Sequence, residues 1–175
     1  MVAWSALPPR MWWCQTAVAP PRYRLHAGPL AFGSLAWADP AGTSAEATLL
    51  GQHLRFTWHG GWSRQLAVQT AGDPGPGARY RPSWGSGEDG ALLLPDGTRY
   101  RWYAPSARVG SGVWVGPDAA VSPVFGNVSD RWEIRVEVAC PADADTAAAP
   151  VLLLLLGSYL ALTDALSRHS PPVLG

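Results

Sequence analysis

The chain has 175 residues, with thirteen basic and thirteen acidic side chains and a formal net charge of zero. This length is typical of one domain, and a chain of this size buries about two-thirds of its unfolded surface on folding. Its balanced charge lacks the basic excess that nucleic-acid-binding domains usually carry. The composition therefore favours a single globular domain that does not bind nucleic acid.

The first 21 residues are predicted to be an N-terminal extension. Residues 1–19 are mostly apolar, but they have no basic start, and Pro8, Pro9 and Arg10 interrupt the stretch where a signal peptide needs a continuous apolar run. We therefore expect this extension to belong to the mature protein. The folded domain is predicted to span residues 22–167.

Short runs of alternating apolar and polar residues fill the chain between residues 22 and 139, and glycine, proline or aspartate closes each run. The clearest run is 131–138, where every even position is apolar and every odd position is charged, which predicts a strand with one buried face. Further strands are predicted at residues 22–25, 30–37, 54–58, 64–68, 99–102 and 113–115. Pro95, Asp96 and Gly97 predict a tight hairpin turn. Strands spaced in this way are typical of a β-barrel or a β-sandwich.

A very hydrophobic helix is predicted at about residues 146–167, followed by a tail at 168–175. Asp145 or Thr146 can cap its start. The residues from 151 to 156 are apolar on all sides, so the helix must be enclosed by protein or by lipid. A membrane span needs about twenty apolar residues, whereas the uncharged run from 147 to 162 is shorter and contains Pro150. Its length favours burial, and a helix about 25 Å long would fit along the axis of a small barrel.

Alternating strands that repeat at an offset of about 45 residues, followed by the leucine-rich helix at 150–160, resemble the tubby C-terminal-like superfamily. This superfamily includes phospholipid scramblases and plant LURP-one-related proteins, and its small bacterial members often show this order of strands and helix. The resemblance covers roughly residues 22–165. It implies a closed barrel of about twelve strands around the C-terminal helix, with residues such as Trp132, Ile134, Val136 and Val138 facing it. With the strand pattern, it leads us to expect a mainly β fold with a closed antiparallel barrel of about ten to twelve strands. It also implies that the ligand is a phospholipid or another anionic molecule.

The candidate ligand-binding residues are arginines, which alternation places on the polar side of neighbouring strands. Guanidinium groups suit the geometry of phosphate, although a charged strand exterior is also needed for solubility. The candidates are Arg55, Arg79, Arg81, Arg99 and Arg101.

No metal site, cofactor or catalytic residue is predicted. The four histidines are scattered, and although His53 and His59 flank one predicted strand, no acidic cluster lies near them in the sequence. The glycine-rich segment at 85–90 precedes a strand and contains two acids, so it does not fit a nucleotide-binding loop.

The leading hypothesis is therefore a non-catalytic binding domain, cytoplasmic or peripheral to a membrane, that binds a phospholipid or another anionic ligand. A second hypothesis is a structural protein anchored by a single C-terminal transmembrane helix. An enzyme with an unrecognised site is the third. The first two differ over whether residues 147–163 are buried in the β domain or exposed to lipid.

Overall fold

The computed structural model describes residues 8–39, 41–61, 63–73, 75–83, 89–104, 110–116, 121–127, 136–139 and 149–169, with backbone alone for residues 121–127, 136–139, 150, 168 and 169. Within these ranges a series of strands precedes one helix. The strands are β1 (Arg10–Val18), β2 (Pro21–Ala27), β3 (Leu30–Trp37), β4 (Ser44–Leu49), β5 (Gln52–His59), β6 (Gln65–Thr70), β7 (Ala78–Pro82), β8 (Gly90–Leu93), β9 (Arg99–Tyr103), β10 (Gly112–Val115), β11 (Val121–Asn127) and β12 (Val136–Ala139), and the helix is α1 (Pro150–His169).

The ten strands whose side chains are described, β1 to β10, form one antiparallel sheet in which each strand pairs with its neighbours in the chain. β1 and β10 are the first and last of these ten strands, and they do not pair with each other. The predicted closed barrel is therefore corrected: the fold is mainly β, but this ten-stranded sheet is not closed. Alternation in a sequence identifies strands and their faces, whereas closure depends on the tilt and stagger of the whole sheet.

Two further strands, β11 and β12, lie between β10 and β1 in the order of hydrogen-bonded neighbours. The backbone of β11 pairs with β10 and β12, and β12 pairs with β1. The pairing of β12 with β1 includes Arg10 with Ala139 and Trp13 with Val136. The strand predicted at 131–138 is described only from Val136 onwards, and residues 131–135, including Trp132 and Ile134, lie outside the described residues.

The prediction that residues 1–21 form an extension is wrong for Arg10–Val18. These residues form β1, which pairs with β2 along most of its length and buries Met11 and Trp13 completely. Alternation in β1 is hard to see in the sequence because Trp12 and Trp13 are adjacent and both large. The folded domain therefore begins before residue 22.

The hairpin predicted at Pro95, Asp96 and Gly97 is confirmed. The Leu94 N–H donates to the Thr98 carbonyl at 2.9 Å, and the Gly97 N–H donates to the Leu94 carbonyl at 3.0 Å. Gly97 has a φ of 89°, which a residue with a side chain adopts only under strain. This turn joins β8 to β9 and fixes their register.

Helix α1 lies against the inward face of the sheet, and its apolar character on all sides is matched by burial on all sides. Eight of its residues between Leu153 and Leu162, including Ser158, are at most 1% exposed. The helix begins at Pro150, later than predicted, since proline favours the first helical position and restricts the residue before it. Among the described residues no helix is long and apolar enough to cross a membrane. The burial of the α1 side chains against the strands does not fit the alternative in which residues 147–163 are exposed to lipid.

Buried indole groups connect α1 to strands that are far away in the sequence. The Trp13 Nε1–H donates to the Ser158 hydroxyl at 2.6 Å, and the Trp114 Nε1–H donates to the Leu153 carbonyl at 2.9 Å. The Tyr159 ring stacks on Phe56 with 5.0 Å between their centroids. These contacts fix both the rotation and the depth of the helix, which leucine packing alone would leave less well determined.

Candidate functional site

The five predicted arginines all lie on the outward face of the sheet and are exposed, as alternation predicted. They do not all come together. Arg55 lies on β5 opposite Glu46 of β4, and its Nη2 is 2.9 Å from a carboxylate oxygen of Glu46. Strand β6 separates Arg55 from the other four. We therefore exclude Arg55 from the candidate site, because its charge is already paired.

The other four arginines form one group, which we call the arginine face: Arg79 and Arg81 on β7, and Arg99 and Arg101 on β9. Strand β8 lies between them and places small or apolar residues in the same two rows. Leu93 pairs with both Arg79 and Arg99, and Ala91 pairs with both Arg81 and Arg101. Because neighbouring strands are about 4.8 Å apart, each row holds two guanidinium-bearing positions roughly 10 Å apart across an apolar residue.

No carboxylate lies on this part of the sheet. The outward positions of β6 to β10 carry glutamine, alanine, arginine, leucine, tyrosine and valine. Within the described residues the four arginines form no ion pair; Arg81 donates to the Gln65 side chain at 3.1 Å, and Arg101 donates to the Tyr103 hydroxyl at 3.4 Å. Around them Leu93, Tyr103 and Val115 are each about two-fifths exposed. Among the described residues, the arginine face therefore combines positive charge that no ion pair neutralises with exposed apolar surface.

A cavity of about 300 Å³ opens at the carboxyl end of α1, and we call it the end pocket. It lies between the last turns of the helix and the ends of β5, β7 and β9. Its lining is Trp58, Arg64, Tyr80, Pro82, Trp102, Ala104, Ser111, Leu160, Ala161, Thr163, Asp164 and Ser167.

Aromatic rings form much of the wall of the end pocket and are held in place by their neighbours. Trp58 and Tyr80 meet edge to face with 6.5 Å between centroids, and Trp102 packs on Trp114 at 5.0 Å. The Trp58 Nε1–H donates to the Tyr159 hydroxyl at 3.0 Å, and that hydroxyl donates to the Gly42 carbonyl at 3.3 Å. Burial raises the pKa of Tyr80, so its hydroxyl stays neutral at ordinary pH.

Two charged residues, Asp164 and Arg64, line the end pocket, and they make different kinds of contact. Asp164 accepts a hydrogen bond from the Gly110 N–H at 2.8 Å. Arg64 is exposed, and its guanidinium carbon lies 5.4 Å from the centre of the Trp58 ring. This distance suits a cation–π contact, which holds the guanidinium over the ring and leaves its N–H edges available to a ligand.

Sequence reasoning identified the arginines but missed the end pocket. Trp58 and Arg64 lie in predicted strands to which the sequence assigned no functional role, and Asp164 lies in the predicted helix. Each of these residues is ordinary by itself. No short motif could have joined them, because the pocket brings together residues from four distant parts of the chain.

The described part of the chain contains no group of three or more side chains suited to a metal ion. His53 lies 3.6 Å from Glu46 across β4 and β5, where Glu46 also binds Arg55. The glycine-rich segment is described only at its last two residues, so that prediction lies largely outside the described residues.

Comparison with known proteins adds no functional information. No family model matches the chain, and neither a curated protein nor a solved structure shows significant similarity to it.

Proposed function

We propose that this protein is a non-catalytic binding module whose arginine face binds the phosphate groups of anionic phospholipids at a membrane surface. The observation that carries the proposal is the set of four exposed arginines on β7 and β9, with no carboxylate among the outward residues of β6 to β10. A face that served only for solubility would be expected to mix both signs of charge.

The composition of the arginine face suits a membrane surface. Guanidinium groups bind phosphate through paired hydrogen bonds. The exposed side chains of Leu93 and Tyr103 lie among the arginines, and partly apolar side chains of this kind favour the boundary between headgroups and acyl chains. Membrane association from the cytoplasmic side is part of this proposal, as is a distant relationship to the tubby C-terminal-like superfamily.

The arginine face also sets the expected strength of binding. Each basic residue near an anionic surface contributes about 1 kcal/mol, so four contribute about 4 kcal/mol. That sum corresponds to a dissociation constant of about 1 mM, which exposed apolar residues would strengthen. We therefore expect reversible binding that weakens steeply with salt, because exposed charges are screened within about 10 Å at 0.1 M ionic strength.

Co-sedimentation with vesicles tests the proposal. Vesicles of phosphatidylcholine alone are compared with vesicles that also contain phosphatidylserine, at low and at high salt. A triple variant of the face is compared with a triple variant of arginines elsewhere on the outward surface, so that both lose the same net charge. The face variant is Arg79→Gln, Arg81→Gln and Arg99→Gln, and the control is Arg22→Gln, Arg24→Gln and Arg55→Gln.

Wild type is expected to sediment with phosphatidylserine vesicles at low salt and to be released at high salt. The face variant should bind about 100-fold more weakly, since three contributions of about 1 kcal/mol are lost, while the control should stay close to wild type. Equal losses in the two variants would show that net charge alone drives binding. That result, or no binding by wild type, contradicts the proposal.

A further inference from the structure

We infer that the end pocket is a second, independent binding site, which takes a small acid with a planar apolar body of one or two rings. The inference does not depend on the arginine face, which lies on the outward surface of β7 and β9. It rests on three features of the pocket: its volume, its ordered aromatic wall, and one cation at its mouth.

The volume of the end pocket limits the size of the ligand. About 300 Å³ is at the lower end of the range for small-molecule sites. A fused bicyclic ring with a short acidic side chain fits such a space, whereas a two-chain phospholipid does not. This size separates the ligand of the pocket from the lipid proposed for the outward face.

The aromatic wall favours a planar, apolar body. Trp58, Tyr80 and Trp102 line the cavity, together with Pro82 and Leu160. The hydrogen bond from the Trp58 Nε1–H to Tyr159 uses the polar edge of that indole. Ring stacking or edge-to-face packing adds to the effect of burying apolar area. The pocket is therefore already shaped before a ligand arrives.

The charge at the mouth favours an acid over an amine. Arg64 forms no ion pair with any described residue, and its contact with Trp58 places its charge beside the aromatic wall. The other charged group in the lining, the Asp164 carboxylate, accepts from the Gly110 N–H at 2.8 Å and would repel an acid placed beside it. The carboxylate of the ligand is therefore expected at Arg64, away from Asp164. A carboxylate at the mouth would meet the Arg64 guanidinium while its ring system lies against Trp58 and Trp102. A charge-assisted hydrogen bond of this kind is among the stronger polar contacts in proteins.

A matched pair of probes tests both the site and its preference for charge. 1-Naphthylacetate and 1-naphthylacetamide have the same ring system and nearly the same shape, but only the first is an anion. Their binding to the full chain is measured by isothermal titration calorimetry. Arg64→Gln removes the cation, and Arg24→Gln on the outward face of β2 is the matched control. Leu160→Trp fills the cavity from α1, and its thermal unfolding is recorded to verify that it folds.

Wild type is expected to bind naphthylacetate with a dissociation constant below about 1 mM and the amide at least five-fold more weakly. Arg64→Gln should weaken binding of the acid about ten-fold, as expected for loss of a charged hydrogen bond, and leave the amide unchanged. Arg24→Gln should match wild type, and folded Leu160→Trp should bind neither probe.

Three results would overturn the inference: no binding of the acid by wild type, equal binding of acid and amide, or the same affinity in Arg64→Gln and Arg24→Gln. The triple variant of the arginine face separates this inference from the proposed function. It should lose vesicle binding and keep its affinity for naphthylacetate. If vesicle binding fails in wild type while the acid still binds, only the proposed function is refuted.

Discussion

Replacing Ser158 by alanine tests whether α1 is held inside the sheet by the hydrogen bond from Trp13. The Ser158 side chain is completely buried, and its hydroxyl accepts from the indole N–H of Trp13 at 2.6 Å while donating to the Leu154 carbonyl at 2.8 Å. Alanine removes one oxygen atom and leaves the rest of the packing unchanged. The Trp13 N–H then has no acceptor in a fully buried position.

The expected cost follows from these contacts. An unsatisfied buried donor costs about 1–3 kcal/mol. Alanine favours the helix over serine by up to about 0.5 kcal/mol, which offsets part of that loss. We therefore expect Ser158→Ala to lower the free energy of unfolding by about 1–2 kcal/mol. For a domain of this size this corresponds to a fall in Tm of about 2–8 °C.

Urea denaturation followed by tryptophan fluorescence measures this difference, with Ser167→Ala as the control. Ser167 lies on the same helix and donates to the Asp164 carbonyl at 2.8 Å, but it is exposed. Its replacement should change the free energy of unfolding by less than about 0.5 kcal/mol. If the two alanine variants are equally stable, the hydrogen bond between Trp13 and Ser158 does not hold the helix, and the reasoning is refuted.

Further predictions concern the core, membrane association and the buried tyrosines. Gly112→Ala should destabilise by about 1–3 kcal/mol in the same denaturation assay, because a β-carbon there would overlap the Trp102 ring. Gly61→Ala, which meets nothing nearby, should not. Leu154→Arg should prevent soluble expression, since an unpaired charge in the core costs several kcal/mol. Leu30→Arg, at an exposed position, should express normally. In cell fractionation, alkaline carbonate should release the wild-type protein from membrane pellets. Stability should fall as the pH rises above about 10, because burial raises the folded-state pKa of three tyrosines above the unfolded value and their contribution to stability is complete only below the unfolded pKa. Tyrosinate absorbance and the free energy of unfolding are measured at each pH. Ionisation of these tyrosines at a lower pH than unfolding would contradict the prediction. These tyrosines are Tyr23, Tyr80 and Tyr159.

Local patterns in the sequence predicted much of the sheet. The strand Leu30–Trp37 has the bounds that were predicted, and alternation correctly placed Leu54 and Phe56 inward with Arg55 outward. These features depend on neighbouring residues, whose side chains point to opposite faces of a strand. Strand β1 was missed because adjacent tryptophans hide its alternation.

Properties that depend on which strands pair, and in which register, could not be predicted from the sequence. Alternation placed five arginines outward, but only pairing with Glu46 separates Arg55 from the rest, and only the register of β8 brings Arg79 and Arg99 into one row. The end pocket was even harder to predict from the sequence, since Trp58, Trp102 and Asp164 come together only when the helix packs against the strands. Its residues carry no mark in the sequence that distinguishes them from ordinary core and surface positions.

The position of α1 in the chain has a consequence for how the protein is made. The helix follows all the strands that it packs against, and its bond to Trp13 spans 145 residues. During synthesis the inward faces of β1 to β10 are therefore complete while the helix that covers them does not yet exist. Contacts this distant in sequence make folding slow, and exposed apolar strands are prone to aggregate. Folding can finish only after the helix leaves the ribosome, so we expect the nascent sheet to be a substrate for chaperones.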